Sequence, residues 1–533
     1  MQMMNVVKSR RGGIKRCLRW VKLVTIVSSA LVLATACGSS GSGSPAKSHG
    51  GGQLVVGSAF PLSSLDPHES ISATDPTMYW AVYDSLFSFN PATQTAEPWL
   101  VTTWSFSANR LTLTLHLRTG VKFTDGEAFN AQAVKLNLDD VLSGSPKVTI
   151  ADEIPMVKSV DVVNDYTVEL HLSTPSSALP LILSQRTGMM MAPAQLKKIQ
   201  AGQQNVTPIG TGPFIVQKYV PGSYIQYTRN PNYWQAGEPK ASSLLIRFIN
   251  NEQAMLAAVE SGEVDVAVGL PADVLPQLKS QKSLDVAAKP IPFYYRVYLN
   301  NTQGPIANID VRKAMNYAID RQAMMQAVLG KGVGEVAWMP VPSSSFAYTA
   351  SEANQYPYNP AMAKKLMASV NGGKPIKLDM TLGNDPVSQQ IGQILKSDWA
   401  AVGIDVTLVP GEIIPQSELF IAKKYPMLMS GWGGRIDPSL SYDGMFSSTS
   451  VLNPGPIPSI SGTLDTAIAK AAAAEGTTAQ ASAYAAVNKI IVSNALEIPL
   501  FFNVGVWAWK KSVTGVQFST TNTIKLNDVA ARN

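Results

Sequence analysis

The amino-acid sequence predicts a mixed α/β protein with more than one lobe. Two segments, Leu111–Arg118 and Tyr166–Leu172, alternate apolar and polar residues with a period of two, which is typical of half-buried strands. Between Ile376 and Ser430, apolar runs of strand length alternate with helical segments, which predicts β-α-β units and a mostly parallel sheet. A chain of 533 residues is also too long for a single hydrophobic core. We therefore expect at least two lobes, one of them built on a parallel sheet.

Local patterns set the bounds of the predicted elements. The expected helix caps are Asn130 and Asp310, a further helix is expected to begin near Asp320, and the expected stops are Gly262, Gly330 and Gly403. In chain order, the predicted helices are Met78–Phe89, 130–142, Glu252–Ser261, 310–319, 320–330, Pro386–Val402, Pro415–Lys424, Asp465–Ala474 and Ala479–Asn494. The predicted strands are Leu54–Phe60, Leu111–Arg118, Tyr166–Leu172, Val264–Val268, Ile376–Leu382, Ile404–Val409, Met427–Ser430 and Ile498–Val506.

Residues 1–36 are predicted to be a signal peptide. Seven Lys and Arg residues and no acidic residue precede an apolar stretch at Leu23–Ala34, which is too short to span a membrane as a helix. The segment from Leu33 to Cys37 resembles a bacterial lipobox, although Ala34 stands where leucine is commonest. We expect cleavage before Cys37 and lipidation of its thiol; an ordinary secretory signal cut nearby is the alternative. Residues 37–52 would then be a lipidated cysteine and a flexible Gly- and Ser-rich linker, which holds the protein extracytoplasmically at the outer face of the cell membrane, or in the periplasm.

Removal of the signal peptide changes the charge of the chain. The whole chain carries a formal net charge of +6, with 43 Lys and Arg against 37 Asp and Glu, and seven of those cations lie in the leader. The mature chain is left with 36 basic and 37 acidic residues, so its charge gives no reason to expect nucleic acid as a partner. Cys17 leaves with the leader and Cys37 would be lipidated, so the mature chain has no cysteine left for a disulfide.

The stretch Pro426–Pro438 is the candidate ligand loop. A short apolar run leads into Gly431, Trp432, Gly433, Gly434 and Arg435 at the end of a predicted strand, and ligands of open α/β sheets bind beyond the carboxyl ends of strands. Glycines allow a ligand to approach the backbone, an indole can enclose it, and a guanidinium can hold its charge. The alternative is that the indole is a core residue and the arginine a solvated loop charge, and these residues alone favour that alternative.

Enzymatic and metal sites are not indicated. The folded part has three histidines, His68, His116 and His171, and none lies in the sequence frame of a hydrolase or a metalloprotease. His116 and His171 lie on the polar sides of two strands, but no third ligand accompanies them, so we predict no metal site. Phosphate-loop and dinucleotide fingerprints are also absent from the sequence. We therefore predict no catalytic residue and no cofactor.

Two segments, Ile209–Gly222 and Arg229–Trp234, have the character of a family signature. Further matches fall in the expected order at Leu65–Pro67, Leu117–Gly126, Val259–Asp265, Asp310–Arg321 and Ile498–Leu500. Together these segments resemble the family 5 extracellular solute-binding proteins, which are the peptide and nickel receptors of ABC importers. The likeness covers nearly the whole mature chain from about Gln53. Gly210-Thr-Gly-Pro213 suits a tight turn near neighbouring backbone, and we assign it a role in the fold.

The resemblance implies a two-lobed clamshell of the type II periplasmic-binding-protein class with an additional inserted domain. By analogy, lobe I comprises residues 53–89, 209–297 and 499–533, the inserted domain 90–208, and lobe II 298–498. The chain would cross between the lobes near Asn300 and near Pro499–Asn503. A ligand bound at the interface would close the lobes by a hinge motion, and the ABC permease would recognise the closed form. We expect a monomer.

The resemblance also implies a peptide anchor that this chain lacks. Peptide-binding members carry an aspartate three residues after the tryptophan of this loop, where it pairs with the N-terminal ammonium of the peptide; here that position is Arg435. An arginine would instead favour a ligand carboxylate. Alternatively, Arg435 pairs internally with Asp437 or Asp443, or a shifted loop lets Asp437 do the work of the family aspartate. The expected ligand-binding residues are Gly431, Trp432, Gly433, Arg435, Asp437 and, just before the proposed crossing, Tyr295.

These features predict an importer receptor for a peptide or peptide-like, possibly acidic solute. The alternatives are a receptor for a metal chelate, a sugar or an opine-like compound, or a surface lipoprotein that senses its ligand.

Overall fold

The computed structural model describes residues 51–70, 75–91, 93–518 and 523–531. The predicted signal peptide, Cys37 and the linker up to residue 50 lie outside the described residues.

Strands and helices alternate along most of the described chain. The strands are β1 Gln53–Ser58, β2 Phe87–Asn90, β3 Thr95–Pro98, β4 Val101–Phe106, β5 Thr112–Leu117, β6 Val157–Asn164, β7 Thr167–Leu172, β8 Phe214–Val220, β9 Tyr224–Arg229, β10 Ser243–Phe248, β11 Val266–Leu270, β12 Leu284–Leu299, β13 Glu335–Val336, β14 Ile376–Gly383, β15 Ile404–Gly411, β16 Met427–Gly433, β17 Ile498–Lys510, β18 Val513–Thr514, β19 Gln517–Phe518, β20 Ile524–Lys525 and β21 Ala530–Ala531. The helices are α1 Pro76–Tyr79, α2 Ala131–Val141, α3 Leu179–Ile182, α4 Pro193–Gln200, α5 Glu252–Ser261, α6 Leu275–Ser280, α7 Ile309–Tyr317, α8 Arg321–Leu329, α9 Pro360–Ala368, α10 Pro386–Ala400, α11 Ile413–Ile421, α12 Pro438–Phe446, α13 Pro458–Ala473 and α14 Gly476–Ser493.

The largest sheet has the strand order β15-β14-β16-β12-β17-β11-β1-β10-β9-β8, with β13 beside β17. β14 pairs in parallel with both β15 and β16, and β1 pairs in parallel with both β10 and β11. The parallel sheet predicted between residues 376 and 430 is therefore confirmed. Parallel strands bring their carboxyl ends to one edge of a sheet, so Gly383, Gly411 and Gly433 end their strands on the same side.

Two long antiparallel strands, β12 and β17, join the two halves of this sheet. Ile291 packs against the apolar cluster that contains Leu54 of β1, whereas Tyr294 belongs to the cluster that contains Phe502 and residues of α12 to α14. Between Pro290 and Tyr294, three residues of β12 stand opposite one residue of β17, so the pairing is irregular there. The lobe boundaries expected at residues 297/298 and 498/499 stay predictions.

The segment expected to be an inserted domain has a core of its own. Its buried apolar residues run from Leu86 to Ala192, and its antiparallel sheet has the order β4-β5-β7-β6. The alternating strands predicted near residues 111–118 and 166–172 are confirmed as β5 and β7. Leu115 of β5 is buried and its neighbour His116 is exposed, as the alternation requires.

Two of the expected helix features are wrong. The helical segment expected at Met78–Phe89 ends after α1 because the carbonyl groups of Ala81 and Val82 accept hydrogen bonds from the Phe214 and Gly212 amides, and Phe87 begins a strand. Asp310 was expected to cap the helix at 310–319, but Asn308 is the cap of α7 and its side chain accepts from the Asp310 amide at 2.9 Å. The cap expected at Asn130 and the helix start expected near Asp320 are confirmed.

The segment around Gly210–Pro213 closes a buried junction. A Cβ atom at Gly210 or Gly212 would overlap the backbone of Val82, which explains why the segment needs glycine. The neighbouring Asp84 is 5% exposed, and its carboxylate accepts four hydrogen bonds of 2.9–3.0 Å. The donors come from separate segments: Trp99 Nε1, Thr211 Oγ1, Tyr233 OH and Trp234 Nε1.

Candidate functional site

The predicted ligand loop follows β16 at the edge where β14 and β15 also end. Strand β16 lies between β14, its parallel partner, and β12, its antiparallel partner. The repeated β-α-β pattern of the sequence predicted this placement. The loop therefore opens at the carboxyl edge of the sheet, as expected for a ligand crevice.

Two of the loop glycines accommodate the protein's own packing. A Cβ atom at Gly431 would overlap the Phe293 ring, and a Cβ atom at Gly434 would overlap the Pro292 carbonyl group, which accepts a hydrogen bond from the Gly434 amide. Gly433 is exposed, and a Cβ atom there would lie 4.0 Å from the nearest Phe293 atom. Gly433 is therefore the position in this stretch where another molecule could approach the backbone.

The Trp432 side chain lies on the face of β16 opposite to the one that carries Gly431 and Gly433. It stands opposite Tyr294 of β12, and its Nε1 donates to Ser441 Oγ of α12 at 3.0 Å. It is half-buried against the apolar cluster of α12 to α14. These contacts hold the loop against α12.

Tyr295 lies beside the loop on the face of the sheet that also carries Phe293. It stands opposite Gly431, and its ring centroid lies 5.4 Å from that of Phe293 and 5.3 Å from that of Phe501. Burial, with a smaller contribution from the charge of Asp385, raises the pKa of Tyr295 to about 12. The phenol is therefore neutral at physiological pH and can act as a hydrogen-bond donor.

Asp437 caps helix α12. Its side chain is buried and accepts a hydrogen bond from the Ser439 amide at 2.8 Å, and Pro438 occupies the first turn. Burial raises the pKa of this carboxyl, and the bonds from Ser439 only partly offset that effect. Arg435 forms its ion pairs with Asp152 and Glu153, not with Asp437 or Asp443. The assignment of these loop residues and Tyr295 as ligand-binding residues stays a prediction.

Arg435 contacts acidic residues of the inserted domain. Its Nη1 donates to Glu153 Oε1 at 2.9 Å, whereas its Nη2 lies 3.9 Å from Asp152 Oδ2, beyond hydrogen-bond distance. The Arg435 side chain is 31% exposed and that of Asp152 is 71% exposed. A contact between residues 282 positions apart in the chain thus joins the predicted lobe II to the inserted domain.

Glu153 also binds a second arginine, and sequence reasoning missed both residues. Arg186 Nη2 donates to Glu153 Oε1 at 2.9 Å, and Thr187 Oγ1 donates to Oε2. Burial alone would raise the pKa of Glu153, but the charges of Arg186 and Arg435 outweigh it and hold the pKa below its usual value. The carboxylate is therefore ionised at neutral pH, and two cations share one anion.

A cavity of about 390 Å³ lies at this charged group. Its walls come from Ser70 and Pro76 near the start of the domain, from Thr149 and Gln185 of the inserted domain, and from the loop after β16. Glu153, Arg186 and Arg435 are the charged residues of its lining, so the lining carries a net positive charge. Of the sequence-predicted residues, Gly433 and Arg435 line the cavity, and the other four, Gly431, Trp432, Tyr295 and Asp437, do not.

A larger cavity, of about 660 Å³, opens between the β2–β3 hairpin and the C-terminal segment. Its charged lining is mainly acidic: Glu97, Glu238 and Asp528 accompany Lys525. None of the sequence-predicted ligand residues lines it. Within the described ranges, no group of three or more His, Cys, Asp or Glu residues is placed to hold a metal ion.

The sequence pattern of a known family decides the class of the protein. The family described as "Bacterial extracellular solute-binding proteins, family 5 Middle" matches residues 95–453. The chain belongs to this family. Family 5 proteins bind small molecules or peptides outside the cytoplasm and work with ABC permeases, so this solute-binding protein is a receptor and not an enzyme.

Known proteins agree with this assignment. The chain of this solute-binding protein is 31% identical over 357 residues to the glutathione-binding protein GsiB of Pectobacterium atrosepticum. The aligned region covers 66% of the chain and 68% of that relative. The structure of HbpA2 from Haemophilus parasuis matches with a TM-score of 0.80 and 23% identity over 90% of the chain and 100% of HbpA2. A dipeptide-binding protein of Pseudoalteromonas sp. SM9913, in complex with Met-Leu, matches with a TM-score of 0.75 and 20% identity, over 90% of the chain and 100% of that protein.

The predicted fold class, a two-lobed clamshell of type II with an additional domain, is confirmed by these structures. The helices in the part of the chain that the structure describes include none with the length and apolar character needed to cross a membrane.

Proposed function

We propose that this protein captures a small peptide or peptide-like solute that carries a carboxylate, and delivers it to an ABC permease. The observation that carries the proposal is the pair of arginines, Arg186 and Arg435, which share the single carboxylate of Glu153 at the wall of the 390 Å³ cavity. The cavity lining itself holds two guanidinium groups and one carboxylate, and the exposed Asp152, outside the lining, lies 3.9 Å from Arg435. A ligand carboxylate is the group that a guanidinium fork binds best.

The relatives are consistent with this ligand class. One of them is named for glutathione, a tripeptide-like solute with two carboxylates and one ammonium group. In peptide-binding members of the family, an aspartate at the position of Arg435 pairs with the peptide ammonium. The arginine in this chain reverses that charge, so we propose that it binds the acidic end of the ligand.

The proposal includes the location of the protein. We propose that Cys37 carries the lipid anchor and that residues 38–52 form a linker from the membrane to a monomeric receptor domain. Replacement of Cys37 by Ser should release the protein from the membrane fraction into the soluble fraction of fractionated cells. Retention of the variant in the membrane fraction would contradict the anchor.

Isothermal titration calorimetry with glutathione and small peptides tests the ligand class. Arg435→Ala should weaken the binding of a carboxylate ligand by roughly 30-fold or more, as expected for the loss of one partner of a largely desolvated charge pair. Lys424→Ala is the matched control, because Lys424 is an exposed cation before β16 and does not line the cavity. Equal affinity in the wild type and Arg435→Ala would remove Arg435 from the site.

A further inference from the structure

Both carboxylate oxygens of Glu153 already accept hydrogen bonds from side chains of the protein. Its Oε1 accepts hydrogen bonds from Arg186 and Arg435, and its Oε2 accepts one from Thr187. Its side chain is 7% exposed. Although it is the one carboxylate in the cavity lining, its oxygens are already occupied by donors of the protein.

The two arginines are bound to different degrees. Arg186 is 12% exposed, and besides Glu153 it donates to the Ser70 carbonyl group at 2.8 Å. Arg435 is 31% exposed and reaches Glu153 through Nη1 alone. The second nitrogen of its fork has only the exposed, more distant Asp152 nearby. Arg435 is therefore the arginine that can exchange its partner.

Building on the proposed function, we propose that Glu153 is a specificity-determining residue, because its carboxylate competes with the acidic group of the ligand for Arg435. A ligand carboxylate that takes both nitrogens of the Arg435 fork must displace or share the Glu153 contact, and the two carboxylates repel each other. Glu153 remains paired with Arg186 throughout the exchange. It thereby lowers the affinity for acidic ligands and limits this end of the cavity to one added negative charge.

A Glu153 that competes for Arg435 and a Glu153 that anchors a ligand ammonium predict opposite effects when Glu153 is removed. If Glu153 bound a ligand ammonium, its removal would weaken binding. If it competes for Arg435, its removal strengthens the binding of acids and leaves uncharged analogues almost unchanged. Charge-assisted hydrogen bonds of this kind correspond to a change of about 10-fold or more in affinity.

Titration calorimetry can separate the two cases with glutathione and glutathione amidated at its glycine carboxylate as probes. Glu153→Gln should bind glutathione about 10-fold more tightly than the wild type does, with less than about a 2-fold change for the amide. Arg435→Gln should remove the preference for the acid over the amide in both the wild type and the Glu153→Gln background. Asp152→Asn is the matched control for loss of a nearby acidic charge. Unchanged or weaker binding of glutathione to Glu153→Gln would overturn the proposal.

A measurement without ligand keeps this test distinct from that of the proposed function. If the wild type binds neither probe, the proposed ligand class fails, and hydrogen exchange with mass spectrometry on the full chain decides the role of Glu153. Removal of either partner, in Glu153→Gln or Arg435→Gln, should speed amide exchange in residues 433–437, with no further increase in the double variant and no change in Asp152→Asn. Unchanged exchange in Glu153→Gln would overturn the contact on which the proposal rests. If Glu153→Gln does not fold, Glu153→Asp retains the charge beside Arg186 with a shorter reach, and must show the same tighter binding of acid or faster exchange.

Discussion

Asp84 and Glu153 are both buried carboxylates whose two oxygens accept hydrogen bonds, but their neighbours differ in charge. Asp84 receives its four bonds from neutral indole, phenol and hydroxyl groups, and burial raises its pKa in spite of them. Glu153 receives its bonds from two guanidinium groups and a hydroxyl, and its pKa is lowered. Neutral donors fix the position of a carboxylate without balancing its charge, whereas charged donors do both.

The difference separates a structural junction from a ligand-responsive one. Every donor to Asp84 is an uncharged, buried or half-buried side chain of the lobe I segments or the inserted domain, although Trp99 also lines the 660 Å³ cavity. Lys525 is the nearby cation, but its Nζ donates to Ser88 Oγ at 2.9 Å. At Glu153, two of the donors are charged guanidinium groups, and that of Arg435 is partly exposed at a cavity. The acidic ligand proposed above would therefore compete with Glu153 for a charged donor, whereas the donors to Asp84 carry no charge.

Replacement of Asp84 by Ala should have the largest effect on stability. It leaves four donors without an acceptor, so we expect a loss of about 3–5 kcal/mol in the free energy of unfolding. Chemical denaturation followed by circular dichroism measures it. The matched control is Glu127→Ala, an exposed acidic residue, which should change stability by less than about 0.5 kcal/mol. A loss below about 1 kcal/mol for Asp84→Ala would show that the junction contributes little.

Replacement of Glu153 by Gln should cost less, on the order of 1–3 kcal/mol in the free energy of unfolding. The amide oxygen can still accept a hydrogen bond from an arginine, but the attraction between opposite charges is lost. The same denaturation experiment measures the change. If Glu153→Gln destabilised the protein as much as Asp84→Ala, the contrast between a ligand-responsive and a structural junction would fail.

The pH dependence of stability should have opposite signs at the two carboxylates. The pKa of Glu153 is lowered from its usual 4.5, so its contribution is fully present above about pH 4.5 and disappears as the pH falls through the lower folded-state value. The difference in free energy of unfolding between the wild type and Glu153→Gln should therefore be constant between about pH 5 and pH 8, and it should shrink in more acidic solution. The pKa of Asp84 is raised from its usual 3.8, so ionisation of this carboxyl lowers the free energy of unfolding as the pH rises above that value. Denaturation curves at several pH values measure both trends, and a difference that grows in acid would contradict the assignment at Glu153.

Replacement of Asp152 by Asn should have the smallest effect, below about 0.5 kcal/mol in stability. Asp152 is 71% exposed and lies 3.9 Å from Arg435, so water and salt screen the pair. Thermal unfolding at low and high salt measures the change. A large effect would mean that both acidic residues hold Arg435.

The sequence predicted the regular parts of this molecule well. Strict alternation identified β5 and β7, and the stop at Gly403 identified the region where α10 ends, because these signals are local. The segment after Met78 was mistaken for a helix because its carbonyl groups pair with residues 130 or more positions away. Long-range pairing of this kind overrides local propensity.

At the site, the sequence identified Arg435 but not its partner. The charge of Arg435 stood out against the family pattern, whereas Glu153 and Arg186 depend on how the inserted domain lies against the loop, which no local pattern encodes. Asp437 was different, because Asp followed by Pro438 at the first helical position is a recognisable cap signal. That signal could have predicted the capping role before the structure.

Strand β12 contains a mechanically soft point between the two halves of the sheet. Pro290 and Pro292 cannot donate backbone hydrogen bonds, and the irregular pairing with β17 lies between Pro290 and Tyr294. A second shift in the pairing lies between Tyr295 and Arg296, so resistance to bending is lowest from Pro290 to Arg296. A twist applied at the cavity would therefore concentrate there, and the stiffness of one short proline-containing segment would set how much elastic energy a bound solute must supply.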